Sequence, residues 1–265
     1  WRCIMKARWL FFSFCSALLL ISASSSFSQD EQKPQLLLLM QDNVKIGQEE
    51  AYLAAAKECN ELFKKGGWPY LTFAGRYMSS FFYAMAIDNF AALDKSMDAF
   101  KKVDEAAGSG KFKDAITKAN QNVVSSSSML IALRPDLSYN PEDPVFEFNG
   151  ETTYNLYMGT YHFKPEAAFE IEGVFKEALA LHKNKKVRLP YQVYEVVFGP
   201  ETPAYMVVIP SKDLAQFAEE SKKAMGLLGP EYLEFMKKNA HLVQRIEEKV
   251  NATFLPDLCY FPEGK

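Results

Sequence analysis

The side chains best suited to chemistry in this chain are few and scattered. Three histidines occur, His162, His182 and His241. Imidazole titrates nearest neutrality, so each is a candidate acid, base or ligand. His162 ends a strand-like run, Thr160-Tyr161-His162-Phe163, with no second ligand at metal spacing. It reads either as a group at the mouth of a pocket or as a half-exposed strand end. His182 closes a helical pattern just before Lys183, Lys185 and Lys186, where cations complement the helix dipole. His241 falls off the apolar stripe of its helix and reads as solvated. Glu195 and Arg76 each stand alone among strand residues, in Tyr194-Glu195-Val196 and Gly75-Arg76-Tyr77. Such a charge either faces outward or sits in a pocket with a displaced pKa. If both faced one interior, they would be partners across it. Tyr154, Tyr157, Tyr161, Tyr191, Tyr194 and Tyr205 crowd into one stretch. Phenols around a cavity would suit a flat apolar ligand, although tyrosine is also favoured in ordinary sheets. The pocket candidates are therefore His162, Glu195, Arg76, Tyr161, Tyr191 and Tyr194.

Several chemistries lack their residues. There is no G-x-S-x-G, H-E-x-x-H or C-x-x-C. Gly108-Ser109-Gly110-Lys111 imitates a phosphate loop, but it lacks the earlier glycine and is followed by Phe112 instead of Ser or Thr. No metal site is expected. Haem would need one histidine as axial ligand; His182 and His241 sit on helices suited to that, and nothing separates them.

The chain has 265 residues, 48% of them apolar and 24% charged, an ordinary globular balance. Lys6 and Arg8 precede an apolar run, Trp9 to Ile21, and a small polar tail, Ser22 to Ser28. Basic start, apolar middle and small-residue end read as a secretory signal peptide over residues 1–29, with Met5 as initiator. The protein is then expected to be exported, periplasmic or extracellular, with no membrane span after cleavage. Removing that segment leaves 27 Lys and Arg against 33 Asp and Glu, a net charge of −6. A mildly acidic chain without a basic stripe argues against nucleic acid. Cys59 lies on an apolar helix stripe and reads as a buried free thiol. Export would permit a Cys59–Cys259 bridge, but that pairing is not expected.

The elements that must position these residues come in two sets. Gln35 to Met40 is an apolar strand. A helix follows with Tyr52, Ala55, Ala56, Cys59, Leu62 and Phe63 on one face, stopped by Gly66-Gly67. Tyr70 to Met78 and Phe81 to Ile87 form a hairpin. Two helices follow, and Ser128 to Leu133 is a strand. The second set begins with a strand over Tyr154 to Phe163. A helix opened by Pro165 buries Ala168, Ile171, Phe175, Ala178 and Leu179. Tyr191 to Phe198 and Ala204 to Ile209 form another hairpin, and Ser211 is set to cap the next helix. A last helix, restarted at Gly229-Pro230, carries Tyr232, Phe235, Met236, Val243 and Ile246. Lys249 to Leu255 is the final strand.

The sets repeat in sequence as well. Pro135-Asp136-Leu137-Ser138-Tyr139 recurs as Pro256-Asp257-Leu258-Cys259-Tyr260, 121 residues later, and Pro69-Tyr70 recurs as Pro190-Tyr191 at the same offset. The expected organisation is a first repeat over 30–139, a linker over 140–152 and a second repeat over 153–265. Each repeat reads β-α-β-β-α-α-β, an antiparallel sheet with helices on one face. The strands are apolar on both alternations, so the sheets need cover on both sides. Packing the two sheets together closes a barrel and removes exposed edges.

This element order, with the Pro-Tyr strand starts and the run Tyr205-Met206-Val207-Val208-Ile209-Pro210, resembles the dimeric α/β-barrel superfamily. That superfamily includes antibiotic-biosynthesis-type monooxygenases, NIPSNAP-like proteins and the haem-binding chlorite dismutase group. The resemblance covers nearly the whole chain beyond the leader and implies an α+β fold, two ferredoxin-like units in one barrel. No catalytic motif of any member is present to carry over. Three functions stay open: a binding protein for a small apolar or aromatic molecule, a cofactor-independent or haem-dependent oxidative enzyme, and a structural module whose barrel is filled. A single chain would supply a pseudo-dimer, as a monomer or as a subunit of a homodimer.

Overall fold

The computed structural model of the protein describes residues 34–148, 150–200 and 202–262. The expected signal peptide, residues 1–29, lies outside the described residues. The first half runs β1 (Gln35–Val44), α1 (Glu49–Gly66), β2 (Thr72–Tyr77), β3 (Ser80–Ile87), α2 (Ala91–Ala107), α3 (Lys111–Asn120) and β4 (Val123–Leu133). The second runs β5 (Asn155–Phe163), α4 (Ile171–Asn184), β6 (Gln192–Phe198), β7 (Ala204–Ser211), α5 (Leu214–Asn239) and β8 (Val243–Phe254). Gly229 kinks α5 into two pieces, so both halves follow the expected β-α-β-β-α-α-β order.

The strands pair antiparallel in the order β4-β1-β3-β2-β8-β5-β7-β6, and β6 returns to β4 to close a barrel. The two sheets meet at two seams. At one, Gly75 and Arg76 of β2 face Phe254 and Thr253 of β8. At the other, Leu130–Leu133 of β4 face Phe198–Tyr194 of β6. Glycine is required at the first seam, because a Cβ on Gly75 would lie 2.4 Å from the Phe82 ring and 2.9 Å from the Thr253 carbonyl.

Three apolar layers result. The barrel interior is packed by its own side chains, among them Leu37, Leu39, Ile131, Leu156, Met158, Val196, Met206 and Phe254. Between the first sheet and α1–α3, Phe63, Trp68, Phe100 and Phe112 stack at ring separations of 4.6–6.2 Å. Between the second sheet and α4–α5 lie Phe163, Ile171, Phe175, Leu179, Val193 and Tyr205.

The repeated pentapeptides are the ties between the halves. Leu137 is fully buried in the second helix layer. Tyr139 and Tyr191 exchange backbone hydrogen bonds of 2.9 Å, and the Tyr139 hydroxyl donates to the Val187 carbonyl at 2.6 Å. In the other direction, Tyr260 and Thr72 exchange backbone bonds of 2.8 and 2.9 Å, and the Tyr260 ring packs in the first helix layer. Each half thus lends its C-terminal tyrosine to its neighbour.

Several element boundaries differ from the sequence reading. β4 begins at Val123 and β8 at Val243, well before the expected Ser128 and Lys249. Those early stretches are serine-rich or charged and pair on one edge only, so they carry no apolar run to read. Val243 and Ile246 accordingly belong to a strand. Ser211 does not cap a helix: it ends β7 and its hydroxyl accepts from Asn155 Nδ2 at 2.8 Å, while Asp213 caps α5 through the Gln216 N–H at 2.8 Å. A short 3-10 turn, Pro165–Ala167, precedes α4. Cys59 and Cys259 are free thiols; Cys259 is buried, accepts from the Ala74 N–H at 3.3 Å, and burial pushes its pKa up to about 11.

Candidate functional site

Strand pairing decides which way each candidate side chain faces. His162 stands opposite Ala204 and Arg245, on the face that continues the barrel's inner wall. It is buried, and its Nε2 accepts from the Arg245 guanidinium at 3.2 Å, with Glu247 Oε1 at 3.9 Å. Tyr194 also faces inward, paired with Leu133 and Met206, and its hydroxyl donates to Gln192 at 2.7 Å. Arg76 pairs with Phe81, whose ring packs on Tyr52 of α1, so Arg76 lies on the helix-facing side, with its guanidinium 6.0 Å from the Phe81 ring centre.

Glu195 pairs with Ala132 and Tyr205 on the helix-facing side of the second sheet. The suggested pairing of Glu195 with Arg76 across an interior does not occur. Glu195 instead holds Arg134 at 2.7 Å, and Arg134 also binds Asp136 at 2.7 Å and Glu172 at 3.2 Å. These carboxylates raise the Arg134 pKa, and Arg134 in turn lowers that of Asp136. The cluster joins the end of β4 to β6 and α4, and Lys176 adds a second cation beside Glu172. Nearby, burial pushes the Tyr205 hydroxyl up to about 12.

The remaining two candidates come together. Tyr161 and Tyr191 line a cavity of about 190 Å³ between the second sheet and the helices α4 and α5. The sequence left open whether the barrel holds a ligand cavity or is filled; the interior is packed by its own side chains, and this space lies outside it, the tyrosines being split between the two faces of the sheet. Tyr157, Tyr161, Val207 and Ile209 form the floor; Val174, Phe175, Ala178 and His182 of α4 form one wall; Tyr232, Phe235, Met236 and Asn239 of α5 form the other. Met236 and Ile246 are partly exposed, so the cavity reaches the surface beside them.

Its lining is apolar with a few polar tips, the usual composition of a small-molecule site. The Tyr157 hydroxyl donates to Glu248. The Tyr191 hydroxyl is fully buried and has no hydrogen-bond partner among the described residues. Burial raises the pKa of Tyr161, Tyr191 and Tyr232, so all three are neutral phenols; Tyr232 lies near enough to raise the other two further.

His182 was read as a helix-end cation, and the structure corrects that. Its ring packs 5.2 Å from the Tyr191 ring and 5.7 Å from the Tyr139 ring, and burial lowers its pKa. Nδ1 sits 2.8 Å from the Ala178 carbonyl. A carbonyl can only accept, so Nδ1 carries the proton and Nε2 is an acceptor. The signal for His182 was present: it stands four residues after Ala178 and seven after Phe175, one turn further along the buried stripe. Tyr232 likewise stood on a stripe read only as packing.

Among the described residues no group of three or more His, Cys, Asp or Glu could hold a metal ion. Haem does not fit these histidines: the cavity beside His182 is too small for a tetrapyrrole, and His241 is exposed with Nδ1 at 2.9 Å from the Lys238 carbonyl. No described helix is long and apolar enough to cross a membrane.

No family profile matches the chain, and no curated protein matches it. Solved structures do match at low identity. A candidate monooxygenase from Fusobacterium nucleatum is 14% identical with a TM-score of 0.55, over 85% of this chain and 94% of that one. An anthrone oxidase-like protein is 10% identical with a TM-score of 0.53, over 85% and 92%. A candidate monooxygenase from Lactobacillus acidophilus is 9% identical with a TM-score of 0.50, over 84% and 94%. At such identities the likeness is one of fold: the chain is a tandem ferredoxin-like α/β barrel of the same architecture as these proteins.

Proposed function

We propose that the protein binds a small, flat, largely apolar molecule carrying one oxygen function, in the cavity beneath α4 and α5. About 190 Å³ is close to the ~150 Å³ of a dry cavity that takes up benzene and below the ~300 Å³ of drug-sized sites, so one ring or two fused rings would fit. The observation that carries the reading is the buried, unpartnered Tyr191 hydroxyl beside the His182 ring. Burying a hydroxyl without a partner is costly, and a ligand hydroxyl would relieve it: Tyr191 donates to the ligand oxygen while His182 Nε2 accepts its proton.

The test is calorimetric titration with 1-naphthol and with naphthalene. The wild type should bind naphthol more tightly, and Ala178→Phe, which fills the cavity, should abolish binding of both. Failure of both compounds to bind, or indifference to Ala178→Phe, defeats the proposal.

A second reading, oxidation of the same ligand, is favoured by the names of the structural neighbours and by the neutral His182, whose free Nε2 can take the proton of an arene hydroxyl. Dioxygen uptake on adding naphthol tests it; none with the wild type leaves binding alone. Export remains part of the proposal, supported by Lys6, Arg8 and the apolar run from Trp9 to Ile21. N-terminal sequencing of the mature protein checks it, and a retained leader would refute it.

A further inference from the structure

The cavity beneath α4 and α5 has two ends, and the strand register tells them apart. Tyr191 stands just before β6, whose first residue, Gln192, pairs with Val208 of β7. Phe163 ends β5, where it pairs with Val243 of β8 and its N–H donates to the Pro203 carbonyl, next to Ala204 of β7. From Val208 to Ala204 the strand spans about 13 Å, so Tyr191 and Phe163 lie at opposite ends of the floor. The helices agree. Lys185, at the end of α4, pairs with Glu231, and Glu177 pairs with Lys238, so α4 and the second piece of α5 run antiparallel. His182 belongs to the first end, with its ring against Tyr191. Asn239 belongs to the second, three residues before Leu242, whose carbonyl accepts from the Lys164 N–H at 2.9 Å.

The polar atoms at the two ends are unlike. The first end offers a donor, the Tyr191 hydroxyl, and an acceptor, His182 Nε2. The second offers Asn239, which lines the cavity and is only 9% exposed. Its amide lies 3.0 Å from the Phe235 carbonyl. A carbonyl only accepts, so the atom held there is Nδ2, and the orientation of the amide is fixed. Oδ1 then accepts from no group among the described residues, and an amide oxygen kept from water without a donor costs free energy. The neighbouring wall, Phe163, Phe175, Ala178, Ala240 and Val243, has no polar side-chain atom to offer it. No Asp, Glu, Lys or Arg lines the cavity anywhere.

We infer that the ligand is bifunctional: a flat molecule with a hydroxyl at the Tyr191 end and a second hydrogen-bond donor, a hydroxyl or an aromatic N–H, given to Asn239 Oδ1 at the other. The inference rests on the ligand reading above and narrows it, from one polar group to two at opposite ends of an apolar body. Both groups are neutral, because a charge in this cavity would meet no opposite charge and would lose its hydration. The second group must donate. An ether or carbonyl there would set its lone pairs against those of Oδ1, and a plain arene edge would leave Oδ1 as unmet as before; a site built around a polar atom discriminates against both. Asn239 is thus the residue that selects among flat aromatic ligands, while Tyr191 and His182 serve every one that carries the first hydroxyl.

Calorimetric titration with 2,6-dihydroxynaphthalene, 2-naphthol and 6-methoxy-2-naphthol tests it. The wild type should bind the diol more tightly than 2-naphthol by about two- to twelvefold, the worth of one hydrogen bond, and the methoxy compound most weakly. Asn239→Leu, which keeps the volume and removes the acceptor, should bring the diol and 2-naphthol to equal affinity. Equal affinities in the wild type overturn the inference and leave the ligand reading standing, as does a preference for the diol that survives Asn239→Leu. If none of the three binds, the ligand reading falls and this inference falls with it. If Asn239→Leu does not fold, the order of the three compounds on the wild type decides.

Discussion

Tyr191 keeps its hydroxyl from water without giving it a partner, and this singles it out among the tyrosines of the second half. Tyr191→Phe should therefore leave the unliganded protein as stable as before or more stable, by up to about 1–3 kcal/mol, in thermal unfolding. The same change should weaken 1-naphthol binding by roughly 0.5–1.5 kcal/mol, about two- to twelvefold, read by calorimetry. His182 gives a pH signature. Burial holds its pKa below the ordinary ~6.5 of histidine. Above that value both folded and unfolded chains hold it neutral and it contributes no slope. As pH falls below, the unfolded chain takes up the proton first, so stability declines until the folded-state pKa is passed. His182→Phe should flatten this part of the stability profile relative to wild type, measured by denaturant unfolding between neutral and mildly acidic pH. An unchanged difference across that range would contradict a buried neutral imidazole.

At the scale of elements, α5 matters most, because its second piece carries Tyr232, Phe235, Met236 and Asn239 to the cavity. The kink that aims it is Gly229, at φ 58° and ψ −148°, a conformation open almost only to glycine. Pro230 then supplies the first position of the new turn. Ion pairs from Lys185 to Glu231 and from Lys238 to Glu177 fasten this piece to α4. Gly229→Ala should cost about 1–3 kcal/mol of unfolding free energy and weaken ligand binding together, since the strained residue either relaxes the helix or destabilises it. This glycine was legible in the sequence as a restart, as were the apolar strands and helix stripes. The early parts of β4 and β8 were not, because strands paired on one edge need no apolar alternation: Ser125 to Ser128 and Gln244 to Lys249 look like loop or helix until their partners in β1 and β5 are known.

Across the whole molecule, the repeat predicted the barrel, because two sheets apolar on both faces have few other ways to bury them. What it could not give was the asymmetry between the halves. Trp68, Phe63, Phe100 and Phe112 fill the first helix layer, while the second is left hollow beside His182. That difference lies in side-chain volume between paired elements, which a single chain's pattern does not report. Nor could sequence show that Arg134, at the end of the first half, serves the second through Glu195 and Glu172. Arg134→Met should strand these partly exposed carboxylates and cost about 1–3 kcal/mol in denaturant unfolding, less than for a fully buried pair because solvent screens them.

The exchanged tyrosines Tyr139 and Tyr260 have one more consequence. Each half is finished by a piece of chain belonging to the other, so neither is a complete folding unit. A peptide-bond scission in the stretch between them would not release two independent proteins. The fragments should stay associated under native conditions, and either one made alone should remain incompletely folded until its complement is supplied.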